Sequence, residues 1–577
     1  MKEPEDMYRC PHCSAGMRYD ISEKNMKCDY CGYRCDVDRH LQKQEEAARD
    51  DYEVTLFSCP QCGGQIRSTA NAAADFCSYC GASVVLEGKL VNEKKPAYII
   101  PFSRTKEECK EVFKRCTKKV WCMPGAYKNP EKLEKFTGIY MPYWVYEVSQ
   151  HAEPLLKCRR TVGNYTEFLY LDFEIDQRYK WIPYDAASGF SDDLSNMIGD
   201  YESKEIEEFS GAYLSGFYAD SPDVKEETYM EDAALVSCDM TIAAVKKKYK
   251  NFDFEKVADP ISTFNAKVEN VKMALFPVWF LTWRDKDRVS YAVINGQTLK
   301  AAADLPVSFS KFLIFSLLFA VPFAVLFFFI PSITPPVTLW VFLLVGMRAI
   351  LQNNSIAKAY ISRESYLTDK GRFLSTESGR KQWIKDQEKK KARENEKAGE
   401  AERKRKTEKK HISNTIEATD NVEGSSGCLT VIIFIILYFF IAYLGLSYSK
   451  LLSDFLYYVF GFDISSFTSH DLFMILIEIV TPVIAVILSV VILIKIIWET
   501  APKRLLLKIL PDTLFLSATV AAASVIMLMQ PVKDLFYYIA SLVVFAGILV
   551  GYLAIFHRFN LSCSRPIPNY HERGERR

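Results

Sequence analysis

Catalytic signatures are missing from this 577-residue chain: it contains no GxSxG, no P-loop, no Gly-rich dinucleotide turn and no HExxH. Histidine is scarce, with seven in all, and the region 96–306 holds only His151, without a partner at motif spacing. Scattered acids such as those at 191–200 and 202–208 suit a solvated surface, so an enzyme is not expected. Net charge is nearly absent too. A value of +1 excludes a chain that is basic throughout, as many nucleic-acid binders are. No basic-then-apolar segment opens the chain, so a cleaved signal peptide is not expected. Nor is there a disulfide framework: of 16 cysteines, eight stand in CxxC pairs, and Cys35, Cys109, Cys116, Cys122, Cys158, Cys238, Cys428 and Cys563 are scattered singly. Thiols kept reduced in a cytoplasm are the expectation.

What the chain does have is a repeated cysteine pattern. Cys10-Pro11-His12-Cys13 is answered after 14 residues by Cys28-Asp29-Tyr30-Cys31, and the unit recurs 49 residues later as Cys59-Pro60-Gln61-Cys62 with Cys77-Ser78-Tyr79-Cys80. A CxxC pair sets two thiolates on one tight turn, and a second pair closes a tetrahedron that suits Zn²⁺. Two Zn²⁺ ions are therefore the expected cofactors, held by Cys10, Cys13, Cys28 and Cys31, and by Cys59, Cys62, Cys77 and Cys80. A redox CxxC would instead stand as one pair beside a βαβ pattern. His12 sits inside a knuckle, and four thiolates are expected to suffice without it. Gly32, Gly63 and Gly81 follow ligands where the chain must turn with φ > 0. The apolar core available to each ribbon, such as Met17, Tyr19 and Ile66, is small. Metal binding must then supply folding free energy on the order of 10 kcal/mol.

The fold class expected is multidomain: two N-terminal zinc ribbons, a cytoplasmic α+β domain, and an all-α polytopic membrane domain of about six helices. The first ribbon is placed at 1–36, a charged, partly helical spacer at 37–56, and the second ribbon at 57–90. Between 96 and 306, alternating aromatic and β-branched residues predict strands at 138–148, 165–175, 180–185, 274–283, 288–294 and 298–302, with Pro142 and Pro183 at starts or edges. Helical spacing predicts helices at 105–119 and 225–250. Pro142-Tyr143-Trp144 and Pro277-Val278-Trp279 echo each other, as two related half-sheets or, the favoured reading, two buried strand starts would.

Apolar runs at 312–330 and 337–351 predict a transmembrane hairpin within 309–356, with Arg348 reaching the interface. After a charged cytoplasmic linker at 357–427, four further spans are expected within 428–557, at 429–446, 472–498, 513–529 and 535–556. A basic cytoplasmic tail at 558–577 follows. Lysine and arginine crowd 357–411, 499–508 and 557–577, while the intervening loops carry only Lys450 and Lys533. Both termini are thus expected on the cytoplasmic side of a cell membrane. The run 381–411 suits a solvated linker, or contact with anionic lipid headgroups. Glu478 lies inside the 472–498 run, either near the outer interface or as an intramembrane acid on an ion path.

Ile99-Ile100-Pro101-Phe102, the Gly138–Trp144 stretch GIYMPYW, the segment FSGAYLSGFYAD at 209–220, Phe276-Pro277-Val278-Trp279 and Asn295-Gly296-Gln297-Thr298 are similar to the soluble core of bacterial zinc-ribbon membrane proteins. That family is often labelled TFIIB-type zinc ribbon or helicase-like, and the similarity covers roughly 55–310. The family's NGQTGK becomes NGQT-Leu299-Lys300 here. The resemblance implies a membrane-attached scaffold, linked in some members to envelope stress, with no catalytic residues. A non-enzymatic docking scaffold with protein partners on the cytoplasmic side is the expectation. A transporter with a zinc-ribbon regulatory region is the first alternative. The second, a nucleic-acid binder, is disfavoured because neither ribbon carries a strong basic excess.

Overall fold

A computed structural model describes residues 9–37, 51–68, 77–82, 87–162, 165–328, 335–364, 370–371, 479–499, 503–530 and 533–567. The chain divides into two units, the first comprising 1–314, 362–381 and 560–577, the second 315–361 and 382–559.

In the first unit, β1 (Met17–Asp20), β2 (Asn25–Cys28) and β3 (Arg34–Cys35) form a three-stranded antiparallel sheet around the first cysteine quartet. The second quartet is framed by β4 (Asp51–Ser58), β5 (Gln65–Ser68) and β6 (Glu87–Lys94), with β4 pairing both neighbours. Residues 51–56, expected in a helical spacer, are thus the start of a strand: Tyr52, Val54 and Leu56 alternate with Glu53 and Thr55, a period-2 pattern that overrides the local charge. These strands also extend beyond their own finger. Through β5 they join β13 (Tyr218–Asp220), and β13 runs parallel to β8 (Thr137–Ala152), so the second quartet hangs on a 12-stranded sheet.

The spine of that sheet is β8 paired antiparallel with β15 (Ala266–Asp285). Around them stand β7 (Tyr98–Ile99), β11 (Ile175–Asp185), β12 (Glu207–Glu208), β16 (Arg288–Asn295) and β17 (Ala301–Ala303). A smaller sheet is built from β9 (Leu155–Val162), β10 (Tyr165–Asp172) and β14 (Asp253–Phe254). Pro142 and Pro277 lie inside long strands, contrary to the expectation of strand starts. The reason is a handover of neighbours. On β8, β11 pairs with 143–152 and β13 with 139–140; on β15, β7 pairs with 274–275 and β16 with 278–285. At each proline the missing N–H falls between two neighbours, where no ladder bond is lost.

Helix α1 (Lys106–Lys118) starts with a capping box between Thr105 and Glu108 and buries Cys109, Val112 and Phe113. It covers one face of the sheet, with Phe113 beside Trp283 at 5.5 Å between ring centroids. Helix α2 (Asp192–Ile198) covers the other face, and α3 (Met230–Lys248) packs on Tyr146 and Val148. The first quartet shares its core with the sheet: Cys10, Tyr19 and Met26 pack in the same cluster as Phe102, Trp279 and Trp283. The small private core expected for this ribbon is therefore replaced by a shared one.

The Asn295-Gly296-Gln297-Thr298 motif is the turn that knits these layers together. Fully buried Asn295 donates from Nδ2 to the Ile198 carbonyl (2.8 Å) and accepts from the Gln297 and Thr298 N–H groups (2.8 and 2.9 Å). The Gly296 carbonyl accepts from Ser103 and Arg104. Leu299 adopts φ of 62°, a left-handed conformation costing roughly 1–2 kcal/mol. Its side chain also packs on the main core, which offsets part of that cost. Leu299→Gly is therefore expected to change stability by less than about 1 kcal/mol. Asn295→Ala, which orphans two buried partners and the half-buried Thr298 N–H, should cost about 3 kcal/mol or more. Thermal unfolding of the two variants checks the contrast.

After the helices, the chain returns to the sheet. Strand β18 (Arg565–Pro566) pairs with β16, and Arg565 and Arg363 both reach nearly buried Asp304 (3.5 and 3.0 Å). Residues 563–567, expected in a free basic tail, are thus held in the first unit.

The helices are α4 (Phe309–Phe328), α5 (Pro335–Glu364), α6 (Thr481–Glu499), α7 (Lys503–Met529) and α8 (Asp534–Ser562). Among the described residues, three stretches are long and apolar enough to cross a membrane: Pro335–Ile361, Leu506–Met529 and Asp534–Ser562. Phe309–Leu318 and Thr481–Ile497 are shorter apolar stretches. The expected count of six is therefore not supported. The run 429–446 lies outside the described residues, as do Glu478 and the charge run 381–411. In the second unit, small residues bring α7 and α8 together: a Cβ on Gly547 would lie 2.8 Å from Thr519 Cβ, and one on Gly551 3.0 Å from Leu516 Cδ2. A buried polar cluster ties three helices. Arg558 donates to Asn353 Oδ1 (2.6 Å), the Ile509 carbonyl (3.2 Å) and Asp512 Oδ2 (2.5 Å), and Asn353 donates to Thr513 Oγ1 (2.8 Å).

Candidate metal centres

All four knuckles share one backbone pattern. The residue after the second cysteine returns an N–H to the carbonyl of the first: Ser14 to Cys10 (2.9 Å), Gly32 to Cys28 (2.9 Å), Gly63 to Cys59 (2.7 Å) and Gly81 to Cys77 (2.9 Å). The first cysteine's own N–H donates to the carbonyl of the residue after that, as Cys10 does to Ala15 and Cys59 to Gly64. This closed turn requires a left-handed residue after each pair. Gly32, Gly63 and Gly81 supply it with φ of 73°, 72° and 68°, and Ser14 takes the same conformation at φ 59°. The spacing thus dictates the turn even where glycine is absent.

The turns bring the thiols of each pair of knuckles together. In the first quartet Cys10 Sγ lies 3.4 Å from Cys31 Sγ, and Cys13 Sγ 3.5 Å from Cys28 Sγ; in the second, Cys59–Cys80 and Cys62–Cys77 are both 3.8 Å apart. Within each quartet all sulfurs lie within 4.8 Å of one another. Four sulfurs about 2.3 Å from a tetrahedral ion would stand about 3.8 Å apart, so both quartets fit one metal ion each, and the donor set is compatible with zinc. His12 stacks on Tyr33 at 4.3 Å between centroids, and the quartet closes without it.

Without a cation, charge on the sulfurs is unevenly shared. Cys28 is drawn down to about 7, chiefly by the Cys31 backbone N–H, and Cys80 is drawn down by the hydrogen bonds of Cys62 and Cys77. Cys77 is pushed up by the hydrogen bonds of Cys62 first and Cys80 second. A divalent cation removes this competition by displacing the protons.

The quartets differ in exposure. All four cysteines of the second are buried, whereas in the first Cys31 is exposed and Cys13 half-buried. The difference follows from docking. The second quartet's last knuckle lies on β15 and β16, where Thr282 Oγ1 donates to the Ser78 carbonyl and Tyr291 Oη to the Tyr79 carbonyl (2.6 Å). Arg284 Nη1 donates to Gln61 Oε1 (2.9 Å). The first quartet meets the sheet through its hairpin instead: the Tyr19 N–H donates to the Ser215 carbonyl (3.0 Å), and Lys24 pairs with Glu205 (3.7 Å). On its second knuckle Tyr30 is 83% exposed.

Of the single cysteines, Cys109, Cys158, Cys238 and Cys563 are buried. Burial raises the thiols of Cys158 and Cys238, which pack in the core with Tyr146 and Val148. His151 pairs with Asp176 (2.7 Å) on the exposed surface, and its carbonyl accepts from Asn265 Nδ2 (3.2 Å). The sequence points neither to the Arg558–Asp512–Asn353 cluster nor to the pairing of Lys370 with Asp192 and Asp232; these residues lie far apart in the chain and match no motif.

No family model matches the chain, and no solved structure matches it. It is 32% identical over 314 residues to the uncharacterized protein YdjG of Bacillus subtilis (strain 168), a match covering 53% of this chain and 91% of that protein. At that identity and coverage, a chain with two four-cysteine clusters, a sheet-rich region and membrane-length helices belongs to the family of that Bacillus protein.

Proposed function

We propose that this is a non-enzymatic, multi-pass membrane protein whose zinc-loaded four-cysteine units and α+β region form a protein-docking scaffold on the cytoplasmic side of the cell membrane. Zn²⁺ is the ion of choice because four thiolates at tetrahedral spacing suit a d¹⁰ cation without geometric preference. Cys10, Cys13, Cys28 and Cys31 hold one ion, and Cys59, Cys62, Cys77 and Cys80 the other. The ions' role is structural: with four protein ligands each, neither has an open position for substrate. Placement of both termini in the cytoplasm rests on the lysine and arginine bias of the polar segments. Partners in envelope stress or membrane maintenance are proposed on resemblance alone.

One observation carries the docking role: Tyr30 stands 83% exposed on a knuckle whose backbone is fixed by its own hydrogen bonds and whose hairpin is packed into the main core. A rigid, exposed aromatic is the type of group that anchors protein interfaces. Tyr30→Ala is expected to leave thermal stability within about 0.5 kcal/mol of wild type. It should also deplete cross-linked partners in affinity capture from solubilised membranes by fivefold or more. Recovery of the same partners in the same amounts removes the first knuckle as the docking site.

A further inference from the structure

We propose that Asp192, Tyr229 and Asp232 form a recognition socket for a lysine–glycine peptide segment, held in the resting protein by the chain's own Lys370-Gly371. The socket is independent of the metal centres and of Tyr30. Its floor is rigid. Tyr229 is buried, stacks on Tyr184 at 4.8 Å and 10°, and rests on a wall where Trp144 Nε1 donates to the Val224 carbonyl (2.8 Å) and Tyr146 Oη to the Glu226 carbonyl (2.6 Å). Tyr229 Oη donates to the Asp192 carboxylate, 3.1 Å from each oxygen.

Both amide N–H groups and the ammonium of Lys370-Gly371 meet a partner. The Lys370 N–H donates to Asp192 Oδ2 (3.0 Å), and the Gly371 N–H to Tyr229 Oη (3.0 Å). The Lys370 ammonium pairs with Asp232 and lies 5.7 Å from the centroid of the Tyr229 ring. A Cβ at position 371 would come 2.8 Å from Val224 Cγ2 and 3.0 Å from Tyr229 Oη, both on the buried wall, so glycine is required there. Two successive amides, an ammonium at the first position and no side chain at the second define a Lys-Gly dipeptide. Two carboxylates facing one lysine residue add charge complementarity.

The contacts also allow exchange. The side chains of Lys370 and Asp232 are 28% and 34% exposed, so water reaches the ion pair, and such pairs hold weakly. Being tethered, the strap acts at an effective concentration in the millimolar range, which excludes a competing segment until the strap is displaced. A partner bearing a Lys-Gly segment would then dock where the strap had been.

The test uses full-length protein in detergent micelles and a fluorescent peptide with the sequence of residues 366–375. With Lys370→Ala/Gly371→Ala, peptide binding should be at least tenfold tighter than to wild type. Adding Asp192→Asn/Asp232→Asn should abolish it, and a peptide with alanine for its lysine should not bind. Equal binding to wild type and the strap variant, or binding to neither, overturns the proposal. A second readout needs no variant: millimolar peptide should accelerate hydrogen exchange of the wild-type amides at 370–371. Unchanged exchange there also overturns it.

Discussion

Serine at both Cys59 and Cys62 is expected to cost one metal ion and much of the first unit's stability. Structural zinc contributes on the order of 10 kcal/mol in small modules, comparable to the whole stability of a typical domain. Here the second quartet is not a detachable finger. β4 and β5 continue through β13 into β8, and the knuckle carbonyls of Ser78 and Tyr79 accept hydrogen bonds from β15 and β16. Loosening the knuckle leaves the Thr282 and Tyr291 hydroxyls without those acceptors in a buried layer, at about 1–3 kcal/mol each. The double variant should accumulate poorly and lose hydrogen-exchange protection at 137–141 and 218–220 as well as at its own finger. The matching change at Cys10 and Cys13 should spare 218–220 by comparison. A wild-type thermal midpoint in the Cys59→Ser/Cys62→Ser protein would refute this coupling.

The second large effect is expected in the helices. Arg558→Leu removes a buried cation and strands the Asn353 amide oxygen and the Asp512 carboxylate, while the Ile509 carbonyl keeps its hydrogen bond from Thr513 Oγ1 (3.0 Å). Breaking a buried pair from one side costs about 3–5 kcal/mol. The lower end applies because the Asp512 side chain is 41% exposed. Removing both charges in Arg558→Leu/Asp512→Leu should recover most of the loss, since an apolar pair of similar volume need not be desolvated. Thermal unfolding of the three proteins in one detergent measures this. If the double variant is as unstable as the single, the cluster holds the helices by some route other than charge pairing.

What the sequence discloses is local. Each CxxC spacing fixes its own turn, so the quartets and the φ > 0 positions at Gly32, Gly63 and Gly81 can be read directly. The alternation at 138–148 and 274–283 likewise points to β8 and β15, although both strands run longer than the pattern suggests. What stays hidden depends on pairing between distant segments. Nothing near Pro142 or Pro277 announces that a neighbouring strand ends there. The packing of Tyr19 and Met26 into a core with Trp279 and Trp283 has no local signature. Arg558 and Asp512 lie just outside the apolar runs at 535–556 and 513–529; an extra helical turn at each end brings them in. The charge of 51–56 hides a strand because its alternation is short and its partners lie in β5 and β6.

That both cysteine quartets are metal sites within one sheet-rich body is tested most directly by elemental analysis of the purified full-length protein, with wild type beside Cys10→Ser/Cys13→Ser. The expected result is two zinc ions per chain in wild type and one in the variant, whose second quartet stays closed by its docking on β15 and β16. A wild-type protein that carries no zinc while its fold is intact would contradict it.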